Sequence, residues 1–451
     1  MKKIFCLITL ITIFCLPGYS KNISGGVNRL DYVNMPFWET FGDEILSDHI
    51  LDVYKNNRDL KIAMLRVSEA QRLVKMSFAD QLPYLGFNGK ISHVFSSSDE
   101  VFGDIVIPNY SETQFLFPAA LSYEVDIWGK NYLKTKSKSK QFEMMLQNEK
   151  SAYIALTSAF AANYFNLVKI DELINLQNQL IDVQSSVVKA FKTKYELGTA
   201  TVNDVLAQEK ALTYLREELK SLLEKRDVLQ NQTSVLLADK SFGHIDRKSY
   251  AELNCKPSVP EKIAPDFIDN RPDFVKAELA LERAGIDVRV AKREFLPDFT
   301  IVGNLGFNFY SISSANTFLS AIGVLPDFDI FSGGRKIQNL KFKKDEYKIA
   351  VENYEKSILT AMQETNDALY TLKTARDKHS LASERLKLSE REMFLVNEKQ
   401  KIGTADNLSV LFKQESLLTA KKSEVSNKIN SVTAMIGLYG ALGGVNFVEN
   451  L

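Results

Sequence analysis

The sequence predicts an α+β membrane protein in which a few long amphipathic strands join very long helices, with the whole unit written twice. Three observations predict it. Gly198-Thr199-Ala200 recurs as Gly403-Thr404-Ala405, followed by Val205-Leu206 in one copy and Val410-Leu411 in the other. Leu82-Pro83 likewise returns as Leu296-Pro297, and Asp126-Ile127-Trp128 as Asp329-Ile330-Phe331, so a unit of about 200 residues is duplicated in tandem. Neither Lys130–Leu197 nor Arg335–Ile402 contains a proline or glycine, while four shorter stretches alternate apolar and polar residues with period two.

The chain begins with a signal segment. Lys2 and Lys3 form a basic start, Ile4 to Leu16 an apolar core too short to span a bilayer, and Pro17-Gly18-Tyr19-Ser20 a cleavage site, so residues 1–20 are expected to leave. Removing them leaves 54 basic against 56 acidic residues, a balance that offers no electrostatic footprint for nucleic acid. Cys6 and Cys15 leave with the signal, and bulky Ile13-Phe14 before Cys15 argues against a lipid anchor there. Only Cys255 remains, so no disulfide framework is expected. His49, His93, His244 and His379 are scattered, which predicts no metal site, and nothing calls for a cofactor.

The first repeat is expected over residues 21–245 and the second over 246–451. Each opens with a helix, from Asn57 to Asp80 and from Asn270 to Glu294, followed by a Leu-Pro pair that hands over to extended chain. Paired strands then follow, at about 84–127 and 298–331. Phe299, Ile301, Gly303, Leu305, Phe307 and Phe309 alternate with mostly polar residues, as do Phe115, Phe117, Ala119, Leu121, Tyr123 and Val125. Leu85–Phe95 and Phe318–Ile330 are weaker versions, with polar loops at Ser96–Ser111 and Ser311–Asn316. Such alternation also occurs in a half-buried sheet of a soluble domain, but the signal segment, the paired hairpins and Trp128 and Phe331, placed for an interfacial belt, favour a membrane β-barrel. Pro118 inside the second strand disfavours regular pairing there. Four strands cannot close a barrel, and bare edges in lipid leave backbone groups unsatisfied, so if the strands lie in a membrane an oligomer is required.

Helical hairpins are expected at about 130–240 and 335–438. Tyr153, Leu156, Phe160, Tyr164, Leu167, Ile170 and Ile174, then Leu180, Val183, Val187, Phe191 and Tyr195, keep the three/four spacing of a coiled-coil seam. Unbroken, each long helix would reach about 100 Å. Gly198 and Gly403 are read as left-handed caps, and Thr201 and Asp406 as residues suited to start the return helices.

The segments PFWETFGDEIL, NRDLKIAMLRVSEAQ, YEVDIWGK, YELGTATVNDVLAQE, DNRPDFVKAELALERAG, FLPDFTIVG, PDFDIFSGGR and KIGTADNLSVL cover nearly all of residues 36–440. In that order they resemble the outer-membrane efflux proteins, most closely the branch paired with drug and heavy-metal pumps. The resemblance implies a homotrimer whose 12-stranded outer-membrane barrel continues into a long α-helical periplasmic tunnel, a closed tip opened by an inner-membrane pump and its periplasmic adaptor, and transport without chemistry. It places Gly198, Thr199, Gly403 and Thr404 at the adaptor contact and Leu408 at an apolar constriction. The acidic and arginine positions beyond that ring hold Phe412 and Glu415 here, and the other branch's arginine and aspartate positions hold Ala405 and Ser409. Asp204 is retained, and Asp204 and Asp406 are the remaining ionic gate candidates beside Leu408 and Phe412.

No nucleophile–base set, paired acids or phosphate-cradling loop marks an enzyme. A periplasmic coiled-coil scaffold would explain the helices but not four amphipathic strands placed alike in both halves. The expected function is a passive, gated outer-membrane exit duct for small molecules such as drugs, toxic compounds or metal ions, with a type I protein secretion duct as the alternative.

Overall fold

The computed structural model describes residues 29–96, 101–102, 105–106, 110–253, 265–310 and 317–445. The expected signal segment, Cys255 and the Ser311–Asn316 loop lie outside the described residues. Two short helices, α1 (Met35–Glu39) and α2 (Glu44–Asn56), precede the helix expected first, α3 (Arg58–Ala79). Strands β1 (Tyr84–Phe87), β2 (Lys90–Ser96), β3 (Val101–Phe102), β4 (Ile105–Val106) and β5 (Tyr110–Val125) lead to the long helix α4 (Lys130–Glu196) and its return α5 (Val202–Leu237). The second half repeats the plan with α6 (Pro272–Arg293), β6 (Asp298–Tyr310), β7 (Thr317–Asp327), α7 (Arg335–Lys401) and α8 (Asn407–Ala441).

The boundaries follow local chemistry. Asn57 is the cap of α3 rather than its first turn, its side chain accepting from the Asp59 and Leu60 amides at 2.9 and 3.1 Å. The helix expected from Asn270 begins at Pro272 instead, because a 3-10 turn over Pro265–Asn270 comes first and proline at the first helical position gives up no needed donor. Both long helices are 67 residues and unbroken.

α4 is the spine, packed against α3, α5, α6 and α8. Its expected seam is buried at Tyr153, Phe160, Tyr164, Leu167, Ile170, Leu180, Val183 and Val187, half-buried at Leu156, Ile174 and Phe191, and exposed by Tyr195. The largest core forms where the N-terminal segment crosses mid-helix. Phe37 stacks on Tyr439 with ring centroids 4.1 Å apart, Trp38 Nε1–H donates to Val33 O at 2.8 Å, and Tyr164 O–H donates to Asp43 at 2.7 Å. Arg271 then pins the second repeat: its guanidinium holds Asp273, Glu364 and the Ala441 carbonyl, joining the starts of α6 and the end of α8 to α7.

The four long strands form one antiparallel sheet in the order β1/β2–β5–β6–β7. The expected first strand is divided: β1 and β2 both pair with β5, and Asn88-Gly89 lies between them opposite Pro118. The Asn88 amide donates to Pro118 O at 3.1 Å, but Pro118 has no N–H to return the bond, so the ladder fails at that position. The expected loop before β5 holds the two-residue ribbon β3–β4, and the fourth strand ends at Asp327, short of Ile330. The central pairing, β5 with β6, joins the two repeats, from Gln114 opposite Tyr310 to Val125 opposite Phe299.

Candidate functional site

At the first hairpin tip the backbone turns at Gly198, φ 74°, with the Thr199 amide and hydroxyl both donating to Lys194 O, at 2.8 and 3.0 Å. At the second, Gly403 has φ 75° and Thr404 makes the same two bonds to Lys399 O, at 2.8 and 3.1 Å. Each threonine thus satisfies a carbonyl orphaned at a helix end, and each glycine adopts the left-handed conformation that a Cβ disfavours.

The return helices are capped by one chemistry in opposite order. Thr201 Oγ1 accepts from the Asp204 amide at 3.2 Å while the Asp204 carboxylate accepts from the Thr201 amide at 2.8 Å. In the second tip the carboxylate comes first: Asp406 accepts from the Ser409 amide at 2.9 Å and from the Ser409 hydroxyl. These hydrogen bonds hold both carboxyls below their ordinary range, through the Thr201 backbone and hydroxyl for Asp204 and the Ser409 hydroxyl and backbone for Asp406. Leu408 is half-buried and Phe412 exposed, four residues apart and so on one face of α8. The sequence reading passed over Leu197 and Ile402, which precede the two glycines and are 73% and 74% exposed. Their signal was present in the repeat itself, as an apolar residue before each Gly-Thr.

At the other end, register settles which side chains share a face. Phe115, Phe117, Ala119, Leu121, Tyr123 and Val125 lie directly opposite Phe309, Phe307, Leu305, Gly303, Ile301 and Phe299. Leu85, Phe87 and Ile91 join the same face from one side, and Phe318, Ile322 and Val324 from the other. Phe117 meets Phe87 and Phe309, and Phe307 meets Phe318 at 4.9 Å between centroids. The opposite face carries Gln114, Ser122, Glu124, Asp298, Thr300, Asn304 and Asn308.

Below the strands, Trp128 Nε1–H donates to Pro297 O at 2.8 Å, which ties the junction of one repeat to that of the other. Phe331 is 89% exposed, and Ile127, Phe295, Leu296, Phe328 and Ile330 add exposed apolar surface near the strand ends; of these, Phe295 and Phe328 were not singled out from the sequence. Lys130 bridges Asp298 at 2.6 Å and Glu124 at 3.1 Å; burial pulls its ammonium pKa down, but these two bonds more than offset that and leave it raised. Among the described residues no helix is long and apolar enough to cross a membrane, and no His, Cys, Asp and Glu group could hold a metal.

An antiparallel sheet with one aromatic-rich and one mainly polar face is thus set on two 67-residue helices. The chain belongs to the outer membrane efflux protein family, which matches residues 50–238 and 264–444. It is 25% identical over 437 residues to the toluene efflux pump outer membrane protein TtgC of Pseudomonas putida, covering 95% of this chain and 88% of that one. It is 26% identical over 435 residues to the cation efflux system protein CusC of Escherichia coli, covering 94% and 92%. Among solved structures, the Campylobacter jejuni CmeC outer membrane channel shares its fold, with a TM-score of 0.82 at 22% identity over 91% of this chain and 88% of that one.

Proposed function

We propose that this chain is the outer-membrane channel subunit of a tripartite efflux system: a passive, gated duct that works as a homotrimer with a periplasmic adaptor and an inner-membrane pump. The observation that carries the reading is the sheet. It has one mainly apolar, aromatic-rich face, one mainly polar face, and two outer edges, β1/β2 and β7, that pair with nothing among the described residues. Open edges do not persist in lipid. In a four-stranded antiparallel sheet the two edges run in opposite senses, so copies join edge to edge, and three close a barrel of twelve strands.

The helices support the same association. Ala361, Thr365, Leu372, Ala382 and Val396 are the buried residues of α7, while Leu381, Leu388 and Leu395, each seven residues from the next and followed by Ile402, are exposed. A heptad row left exposed among the described residues suits a neighbouring helix. Trp128 and Phe331 fit the periplasmic edge of the membrane. The tips, with Gly198, Thr199, Gly403 and Thr404 shaping the turns and Leu197 and Ile402 exposed beside them, offer the adaptor two like surfaces. Leu408 and Phe412 form the apolar part of the gate, beside the cap carboxylates Asp204 and Asp406.

Native mass measurement of detergent-extracted outer membranes tests the assembly, and planar-bilayer recording tests the duct. Trimers that insert and conduct are expected. Monomers alone under native extraction would sink the proposal.

A further inference from the structure

The chain's zero net charge conceals a local excess of cations beside the strands. Five lysines between Lys130 and Lys140 precede the first acid of α4, Glu143, and Arg335 and four lysines precede Asp345 in α7. Between these two helix starts and α6 lies a groove of about 170 Å³. Lys134, Lys138, Arg283 and Lys343 line it, with Ser137 and Asp287. Glu294 and Asn339 also line it, bound to each other at 2.8 Å.

Four cations therefore face two carboxylates, and the acids are already engaged. Asp287 accepts from the Ser137 hydroxyl at 2.6 Å and stands 3.8 Å from Arg283 Nε. Lys343 is held by Glu346 at 2.7 Å. Lys134 and Lys138 have no partner among the described residues, and Arg283 Nε is buried without an acceptor. The neighbouring Lys140 shows the contrast, being clamped by Glu143 and Glu282 at 3.0 and 2.6 Å. A buried guanidinium donor without an acceptor is a costly arrangement unless something supplies one.

The groove also has a side. Lys130 reaches Glu124 and Asp298 on the polar face of the sheet. Lys134 and Ser137, four and seven residues on, share its stripe of α4. The groove therefore opens on the side continuous with the polar face, which is the lumen of the duct proposed above, and the inference rests on that reading. We propose that the groove binds phosphate-bearing solutes inside the duct. A phosphate monoester carries close to two negative charges and several acceptor oxygens, matching the two unpaired lysines Lys134 and Lys138 and the open Arg283 Nε donor better than a carboxylate does.

Phenyl phosphate, titrated calorimetrically into the full-length detergent-solubilised protein with phenol as the uncharged control, tests it. Wild type should bind phenyl phosphate and not phenol, more weakly as salt rises. Arg283→Gln and Lys138→Gln should each weaken binding by roughly tenfold, with assembly size unchanged on gel filtration, and Arg283→Lys should restore part of it. Equal binding by wild type and both variants would overturn the site. So would a phospholipid that co-purifies with wild type but not with the variants while phenyl phosphate fails to bind, because the groove would then hold a lipid headgroup. Bilayer conductance in potassium chloride, recorded alongside, separates the two readings: a conducting protein that binds no phenyl phosphate loses the site and keeps the duct.

Discussion

Lys194, near the end of the first long helix, lies 4.0 Å from Asp406, the cap of the second hairpin's return helix, so an ion pair links the tips of the two repeats. Both side chains are well exposed, and such pairs contribute little to stability. The Asp406 carboxylate is bound first to its own helix through Ser409, with Lys194 a lesser influence.

Closure at the tips should therefore depend on Leu408 more than on charge. Lys194→Gln should leave single-channel conductance within error of wild type, whereas Leu408→Ser should raise it and make cells leaky to large antibiotics, as expected if an apolar constriction gates by dewetting. The wild-type closed state should change little between low and high salt beyond bulk conductivity. A large effect of Lys194→Gln with none from Leu408→Ser would reverse the assignment.

Gly198→Val and Gly403→Val should each weaken their hairpin by about 1–2 kcal/mol, the cost of a β-branched residue in left-handed backbone. Apart from the adjoining residues, no described atom lies within 4 Å of where a Cβ would sit at either position, so the penalty is conformational and not a clash. Adaptor pull-down and export at matched protein levels should both fall. Unchanged values would show that these turns are not part of the docking surface.

Pro118→Val supplies the missing donor opposite Asn88 and should join β1 to β2. A gain of about 1 kcal/mol is expected, read as a higher urea midpoint for the refolded protein, together with slowed amide exchange at Asn88 and the new residue 118. Fast exchange at both positions would mean that the gap has another cause.

Arg271 is 5% exposed and joins α6, α7 and α8. Arg271→Ala should cost about 1–3 kcal/mol, because it removes a buried guanidinium's bonds to the half-exposed Asp273 and Glu364 carboxylates and to Ala441 O, measured as a fall in thermal midpoint. The same pair gives a pH signature. Burial alone would raise the Asp273 carboxyl pKa, but the Arg271 hydrogen bonds and charge win and hold it below its ordinary value. A lowered folded pKa stabilises above the unfolded value, near 4, and that contribution is lost as pH falls through the folded one. The stability difference between wild type and Asp273→Asn should accordingly shrink below about pH 4; a difference that grows on acidification would contradict the sign.

What could be read along the chain was whatever a few neighbouring residues decide. The α4 and α7 runs, the turns at Gly198 and Gly403, the caps at Thr201 and Asp406 and the alternation of β6 all follow from side-chain period or from hydrogen bonds within one turn. Asn57 and Asn270 mark the limit. Their patterns look alike, yet one caps a helix and the other closes a 3-10 turn, because Pro272 moves the second start. The short helices α1 and α2 have little local signature, because Phe37 of α1 packs on Tyr439 and the Asp43 cap of α2 is held by Tyr164, both far along the chain.

The sequence by itself determined the duplication, the lengths of the helices, the two tips and the apolar side of each strand, since each is a local property that repeats. Only the tertiary structure decided that β5 pairs with β6 across the two repeats, bringing Phe117 opposite Phe307 and both apolar faces onto one surface. It alone placed Lys134, Lys138, Arg283 and Lys343 around one groove. Those relationships depend on which surfaces meet between residues more than a hundred positions apart, and periodicity along a chain carries no information about the partner on the other side of a contact.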